Sequence, residues 1–151
     1  MDSTILSHLS QRLCAHQWRD TLTAFAHELA EDLTPNRLRQ IMRRTGERFA
    51  ALNMLPQANT IDELSAAANQ FWRMLDWGWM TCAEADDHLS ITHYCSPLAA
   101  AFGDQHLGWS SGFLEGVYEV WMRQLGADDS LRVTQERTSV AEGMIVFRFG
   151  R

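Results

Sequence analysis

The sequence has no lysine, and this absence sets its electrostatic character. All thirteen basic residues are arginine, and against nineteen acidic residues they leave a formal net charge of −6 at pH 7. A protein that binds the phosphate backbone of nucleic acid normally presents a basic face. The composition therefore disfavours a nucleic-acid partner.

Cysteines and long apolar runs are also scarce. The three cysteines, Cys14, Cys82 and Cys95, are an odd number without the spacing of a disulfide framework, which indicates free thiols in a reducing compartment. The first twenty residues contain Asp2 and Arg12 among the apolar ones, a pattern too polar for a signal peptide or a membrane span. We therefore expect a cytoplasmic protein.

Tryptophan, by contrast, is abundant. The chain has six tryptophans in 151 residues, and its composition, 46% hydrophobic and 21% charged, is that of a folded protein rather than a disordered one. A chain of this length can bury about 68–70% of its unfolded surface when it folds alone. We expect one domain that spans residues 1–151.

The stretch from Gly112 to Trp121 is predicted to be the buried helix on which the other elements pack. Its apolar residues recur with helical period and form a broad stripe that comprises Phe113, Leu114, Val117, Tyr118 and Trp121. Gly112 and Gly116 lie at i and i+4 on one side, where each costs about 1 kcal/mol relative to alanine. We therefore expect a strand or another helix to pack too close there for a Cβ atom. Gly126 is predicted to end the helix.

The N-terminal part of the chain is predicted to be helical. Apolar spacing from Ile5 to Leu33 indicates one long helix or two short ones, with a break near His16. Thr34-Pro35 is typical of a helix start, and that helix should end before Pro56. A capping box from Thr60 to Glu63 begins a third helical stripe.

The helix that follows Pro35 has a strongly basic outer face, formed by Arg37, Arg39, Arg43, Arg44 and Arg48. A charge run of this kind is typical of a solvated helix face. In an acidic protein it has an alternative role, which is to contact an acidic patch on a neighbouring copy. Such a patch is formed by Glu28, Glu31 and Asp32.

Residues 77–85 and 88–95 are predicted to form an antiparallel hairpin that turns at Asp86-Asp87. This turn fixes a register with three diagnostic pairs: Met80 with His93, Cys82 with Ile91, and Glu84 with Leu89. Most of the larger aliphatic side chains then share one face. The opposite face carries aromatic and hydroxyl side chains: Trp79, Thr81, Ala83, Ser90, Thr92 and Tyr94.

Residues 130–136 and 144–149 alternate in polarity and are predicted to form a second hairpin. Between the first hairpin and the central helix, residues 99–109 are predicted to be a loop with one helical turn. The predicted fold class is therefore α+β, in which N-terminal helices precede two β-hairpins that flank the central helix. Helices should cover one face of the antiparallel sheet.

Glu115 and Glu119 lie at i and i+4 on the central helix, and a pair of carboxylates is what a glycosidase requires. Hydrolases normally take the two carboxylates from separate elements, and like charges on one helix face are common at solvated or interface positions. We therefore favour a solvated or interface position for this pair. A glycan-cleaving enzyme with Glu115 or Glu119 as acid or base remains an alternative.

Three other constellations do not predict a catalytic or metal site. Cys82, His93 and Cys95 can share a sheet face and are ligand types that zinc accepts, but their spacing matches no metal motif, which favours buried packing. Ser110-Ser111-Gly112 lacks the G-x-S-x-G pattern of a nucleophile elbow. Residues 103–108 lack the preceding strand and the lysine of a phosphate-binding loop.

The tryptophans point instead to a surface role. The C–H groups of a pyranose ring lie well on an aromatic face, and its hydroxyls then need carboxylate, amide or guanidinium partners. Each buried indole N–H also needs a hydrogen-bond partner, so one small domain cannot comfortably bury all of Trp72, Trp77, Trp79, Trp109 and Trp121. Some of them should line an interface or a groove.

Three stretches carry a recognisable combined pattern. They are Leu75-Asp76-Trp77-Gly78 with Thr81, Ile91-Thr92-His93 with Pro97, and Leu114-Glu115-Gly116-Val117-Tyr118 with Trp121. Together they resemble the family of cellulose synthase D subunits, the small accessory proteins of bacterial cellulose-synthesis operons. The helix pattern L-E-G-x-Y-x-x-W is the most specific of the three.

This resemblance implies a ring-like octamer built as a tetramer of dimers, whose interfaces form passages that conduct or align nascent β-1,4-glucan chains. It also implies no catalytic residue, no cofactor, and partners among the other proteins of the operon. The family has often been placed in the periplasm, which is the alternative to the cytoplasmic location expected above. The candidate residues for contact with glucan or a neighbouring protomer are Trp79, Tyr94, Trp109, Glu115, Tyr118 and Arg44. The alternative function is a small-ligand binding module with an aromatic pocket.

Overall fold

The computed structural model describes residues 3–139 and 142–151. The N-terminal helices are α1 (Ser3–Arg12), α2 (His16–Asp32), α3 (Pro35–Leu52) and α4 (Ile61–Met74). The first hairpin consists of β1 (Trp79–Glu84) and β2 (Leu89–Tyr94). Short helical segments follow as α5 (Leu98–Phe102), a 3-10 turn (Asp104–His106) and α6 (Leu107–Ser110). The last elements are α7 (Gly112–Gln124), β3 (Arg132–Ser139) and β4 (Met144–Gly150). The α+β fold class is confirmed.

The helix starts follow from local side-chain chemistry. Of the two alternatives for residues 5–33, the two-helix one is correct. Thr34 accepts a hydrogen bond from the backbone N–H of Arg37 at 3.2 Å, and Pro35 occupies the first turn of α3. Thr60 accepts from the N–H of Glu63 at 3.1 Å, which confirms the cap of α4. The Glu63 carboxylate accepts from the N–H of Asn59, one residue before the position that a standard capping box uses.

The four strands form one antiparallel sheet in the order β1-β2-β4-β3. The predicted register of the first hairpin is confirmed at all three diagnostic pairs, and the turn closes with a bond from the N–H of Ala85 to the carbonyl of His88. The second hairpin is confirmed as well. Pairing of β2 with β4, for example Ile91 with Phe147, joins the two hairpins through the middle of the sheet.

Strand β3 begins two residues later and ends three residues later than predicted. The alternating pattern ends at Glu136, yet the strand continues to Ser139 because the register shifts between Gln135 and Arg137. A shift of this kind admits one extra residue and moves the following side chains to the opposite phase. A strict period of two therefore cannot follow the strand past the bulge.

The prediction of a loop over residues 99–109 is wrong, since most of this stretch is helical. Leu98, Ala101, Leu107 and Trp109 are buried in it. Short helical turns satisfy their own backbone hydrogen bonds while they turn these apolar side chains inward. The two glycines of the stretch suggested a loop, but tertiary burial outweighs that local signal.

The close approach predicted at the two glycines of α7 is made by helix α3. A Cβ atom on Gly112 would lie 2.7 Å from the carbonyl oxygen of Arg39, and one on Gly116 would lie 2.0 Å from that of Arg43. The contact is reciprocal, because a Cβ on Gly46 of α3 would lie 1.9 Å from the carbonyl oxygen of Phe113. Glycines on both helices thus allow the two backbones to approach closely, and α7 lies directly against α3.

The core lies between the helices and the inner face of the sheet. Trp72 of α4 packs on Trp121 of α7 with ring centroids 5.1 Å apart, and both side chains are fully buried. The sheet contributes Met80, Ile91 and Phe147 to the same cluster. Within residues 3–139 and 142–151, no helix is both long enough and apolar enough to cross a bilayer.

Candidate functional site

Two aromatic side chains form a platform on the outer face of the sheet. Trp79 begins β1 and Tyr94 ends β2, so the hairpin register places them directly opposite each other. Their rings are stacked, with centroids 5.2 Å apart and an angle of 17° between planes. Trp79 is 43% exposed, and Tyr94 is half-buried. The pair therefore places a stacked and partly exposed aromatic group on this face of the sheet.

A groove of about 530 Å³ adjoins this platform, between the end of α1 and the start of β1. It is lined by Leu9, Arg12, Leu13, Arg73, Asp76, Gly78, Trp79 and Cys95. Its wall depends on Gly78, which has a φ of 77° and whose Cβ, if present, would lie 1.8 Å from the carbonyl oxygen of Tyr94. Glycine thus allows the chain to turn into β1 tightly beside the end of β2.

The groove combines apolar and charged groups. Leu9 and Leu13 line it from α1, while Arg12, Arg73 and Asp76 are exposed around it. Within the described ranges, none of these three charged side chains takes part in an ion pair. An aromatic face with guanidinium and carboxylate groups beside it suits a sugar, whose C–H face is apolar and whose edges carry hydroxyls. Sequence reasoning did not group these three residues at one site, because Arg12 is far from the others along the chain.

The outer face of the sheet continues the platform as a polar surface. Thr81 lies opposite Thr92, and Ser90 lies opposite Arg148 on the neighbouring strand. Arg148 in turn binds the Asp87 carboxylate at 2.9 Å. The predicted mixture of aromatic and hydroxyl side chains on this face is confirmed.

Three of the six candidate residues lie inside the protomer. Trp109 is 6% exposed, and its indole N–H donates to Nδ1 of His106 at 3.1 Å. Tyr118 and Glu115 are buried on α7. Arg44 is exposed on α3, away from the neighbours that hold Arg39 and Arg43 against α7. The structure thus brings together only Trp79 and Tyr94 of the predicted set, and their contact with glucan stays a prediction.

Glu115 and Glu119 occupy a buried ionic network, so the expectation of a solvated position is wrong. The Arg43 guanidinium contacts both carboxylates, and it lies 3.1 Å from Oε2 of Glu115. Arg39 also pairs with Glu115, and Arg123 binds Glu119 at 2.6 Å. Burial raises the pKa of Glu115, and the nearby Arg39 and Arg43 charges oppose that rise. The compensating cations come from α3, which no pattern within α7 reveals.

Glu119 has further partners that anchor the second hairpin. Its Oε2 accepts a hydrogen bond from the backbone N–H of Val133 at 3.0 Å, and Arg132 lies 3.5 Å from its Oε1. Both carboxylates are therefore occupied by partners that hold α3, α7 and β3 together. This arrangement is structural in character, since each carboxylate points at protein cations rather than into a cavity.

His93 is held by two protein partners. Its Nε2–H donates to the carbonyl oxygen of Trp77 at 2.7 Å, so Nδ1 is free to accept from the hydroxyl of Tyr118. Burial lowers the pKa of His93 to about 4. Among the described residues, no group of three or more His, Cys, Asp or Glu side chains is arranged to hold a metal ion.

Several known proteins are similar to this chain in sequence. The sequence profile of the family of cellulose synthase D subunits matches residues 4–150. Proteins named cellulose synthase operon protein D from Komagataeibacter xylinus and Komagataeibacter sucrofermentans are each 27% identical to this chain over 99 residues. Each of these matches covers 64% of this chain and 64% of the relative's length.

Proposed function

The chain belongs to the family of cellulose synthase D subunits, and on that premise we propose that it is a non-catalytic accessory subunit of bacterial cellulose synthesis. In this role it assembles with copies of itself into an oligomeric scaffold. The scaffold organises synthase complexes or guides nascent β-1,4-glucan chains into ordered cellulose, and it associates with other proteins of the operon. The location that we propose is the cytoplasm, with the periplasm as the alternative.

The Trp79–Tyr94 platform is the observation that carries this proposal. A glucan chain presents the flat C–H faces of its pyranose rings, and stacked aromatic rings at a sheet edge match such a face. Arg12, Arg73 and Asp76 stand beside the platform with side chains that can bond the equatorial hydroxyls. The site is open rather than enclosed, which suits a polymer that must pass along the protein.

Exposed apolar side chains support the assembly part of the proposal. Trp18, Phe25, Leu52 and Met74 are each more than half exposed in the isolated protomer. Clusters of exposed apolar surface usually mark protein–protein contacts in soluble proteins. The buried Glu115 and Glu119, engaged by arginines, support a scaffold more than a hydrolase.

The alternative of a small-ligand module with an internal aromatic pocket has less support. Such a pocket needs open space among the aromatic side chains. Trp72 instead packs directly on Trp77 and Trp121, with ring centroids 5.5 Å and 5.1 Å apart. These rings occupy the volume that an internal ligand would fill.

Binding of cellohexaose, measured by calorimetry, tests the proposed role. We expect Trp79→Ala to weaken binding about tenfold or more, because one stacked ring contributes on the order of 1–3 kcal/mol to such contacts. Met54→Ala is the control, since Met54 is also exposed, at 54%, but lies between α3 and α4 and does not line the groove. Equal affinity of the Trp79 variant and the unaltered protein, or no binding by the latter, would refute the glucan contact.

A further inference from the structure

We propose that a second copy of this chain docks on the outer faces of α2 and α3, with the acidic edge of α2 from one copy against the arginine row of α3 from the other. The inference rests on the assembly part of the proposed function and names the surfaces that form it. It commits to a two-fold contact, in which each copy supplies both surfaces.

Helix α2 has an apolar edge that its own protomer does not cover. Ala26 is fully buried, and Leu29 packs beside it against the protein. Trp18 and Phe25, two turns apart on a neighbouring edge of the helix, are 55% and 56% exposed. Large aromatic side chains at i and i+7 on one helix edge are the spacing of a helix-packing seam.

Acidic side chains continue this edge towards the end of α2. Glu28 and Asp32 follow Phe25 at i+3 and i+7, so they extend the same side of the helix. Glu31 lies on the adjacent outer face. All three are exposed, and none forms an ion pair within the part of the chain that the structure describes.

Helix α3 presents the opposite charge on its outer face. Arg37, Arg44 and Arg48 recur at i, i+7 and i+11, so they form one row on the side away from α7. They too are exposed and lack ion-pair partners within the described ranges. Leu52, one turn beyond the row, is 85% exposed and adds an apolar end to it.

The two surfaces carry opposite charges and therefore complement each other. A partner of a single charge could neutralise only one of them. Each contains apolar side chains followed by a charged row, and the charges have opposite signs. A two-fold axis would make both contacts at once, so the acidic and basic rows would be neutralised in pairs. Without such a partner, the arginine row of α3 and the carboxylate row of α2 would both lack ion pairs within the described ranges.

The exposed aromatic side chains supply part of the area that a specific contact needs. An aromatic side chain can bury about 150–250 Å², so the exposed halves of Trp18 and Phe25 offer roughly 200 Å² together. A standard interface buries about 800 Å² per partner. The stems of three arginines and the side chain of Leu52 extend the apolar part, since arginine can bury its aliphatic stem while its charge stays solvated.

Charge reversal and sedimentation test this pairing on the full-length chain. We expect Glu28→Arg with Asp32→Arg, and separately Arg44→Glu with Arg48→Glu, to raise the dissociation constant of the assembly by about tenfold or more. The two reversed proteins carry complementary surfaces, so an equimolar mixture should recover the mass of the unaltered assembly. Glu84→Arg and Arg137→Glu, on exposed positions of the two edge strands, are the controls and should leave the mass unchanged.

The outcomes separate this inference from the proposed function. An unaltered protein that is monomeric at micromolar concentration would overturn both the assembly and the surfaces. An assembly that survives both reversals, or reversed proteins that fail to recover in the mixture, would overturn the surfaces alone. Phe25→Ser, which changes no charge, is a second test. Circular dichroism first checks that this variant keeps its fold, and the folded variant should then also assemble more weakly.

Discussion

The hydroxyl of Tyr118 on α7 donates a hydrogen bond to Nδ1 of His93 on β2, and this buried contact joins the central helix to the sheet. The other ring nitrogen of His93 donates to the carbonyl of Trp77, which precedes β1. Residues from all three sequence stretches that carry the family pattern thus meet at one histidine. This contact makes the protonation state of His93 part of the fold.

Acid should destabilise the protein through His93. Burial lowers its pKa from 6.5 to about 4, so the unfolded chain binds a proton more readily than the folded one between these values. The stabilisation is therefore fully present above pH 6.5 and is lost as the pH falls towards 4, by about 3 kcal/mol in all. Urea unfolding at intervals between pH 4 and pH 7 measures this loss.

His93→Gln is the control for that experiment, because glutamine cannot titrate. Burial and His27 also lower the pKa of His106, which adds to the acid sensitivity in the same direction, so the informative quantity is the difference between the two proteins. Equal dependence of unfolding free energy on pH in both would contradict the assignment.

Gly116→Ala should disrupt the contact between α7 and α3. The added methyl group would lie 2.0 Å from a backbone carbonyl oxygen, which cannot move aside as a flexible side chain can. We expect a loss of about 3 kcal/mol or more in unfolding free energy, or failure to fold. Gly108→Ala is the matched control, since nothing lies within 4 Å of the position that its methyl group would take, and it should stabilise the protein by up to about 1 kcal/mol. Similar thermal midpoints for the two variants would contradict the packing.

Glu119→Gln should cost more stability than Glu47→Gln, although both carboxylates pair with Arg43. Glu119 is buried and also bonds Arg123 and the backbone N–H of Val133, so its loss leaves cations partly uncompensated. We expect about 3 kcal/mol. Glu47 is 39% exposed and 3.9 Å from Arg43, so its change should cost less than about 1 kcal/mol. Guanidinium unfolding of both variants measures the difference, and equal costs would refute a buried network.

Trp79→Ala should separate binding from stability. Trp79 is partly exposed and its main intramolecular contact is the stacked ring of Tyr94, so its removal should cost about 1 kcal/mol of unfolding free energy. Trp121→Ala, which empties a fully buried site, should cost about 3–5 kcal/mol. If the two substitutions destabilise the protein equally in thermal unfolding, Trp79 is a core residue rather than a surface platform.

Local patterns in the sequence predicted the elements whose signals are short in range. Thr34 and Thr60 cap helices because a hydroxyl reaches an N–H only three residues away. The hairpin register followed from a two-residue turn and a period of two, and it placed Trp79 opposite Tyr94 without any tertiary information. The helical turns within residues 98–110 were not predicted, because they depend on burial against other elements.

The sequence by itself therefore determined that α7 needs a close neighbour and that one sheet face is aromatic and polar. Only the tertiary structure decided that the neighbour is α3, because the matching Gly46 lies far away along the chain and carries no pattern that pairs it with Gly116. The same holds for Glu115, whose partner Arg43 is 72 positions distant. From the sequence alone, two like charges on one helix face are expected to be solvated. The packing of α3 on α7 brings the neutralising arginines next to them, and this packing is visible only in the tertiary structure.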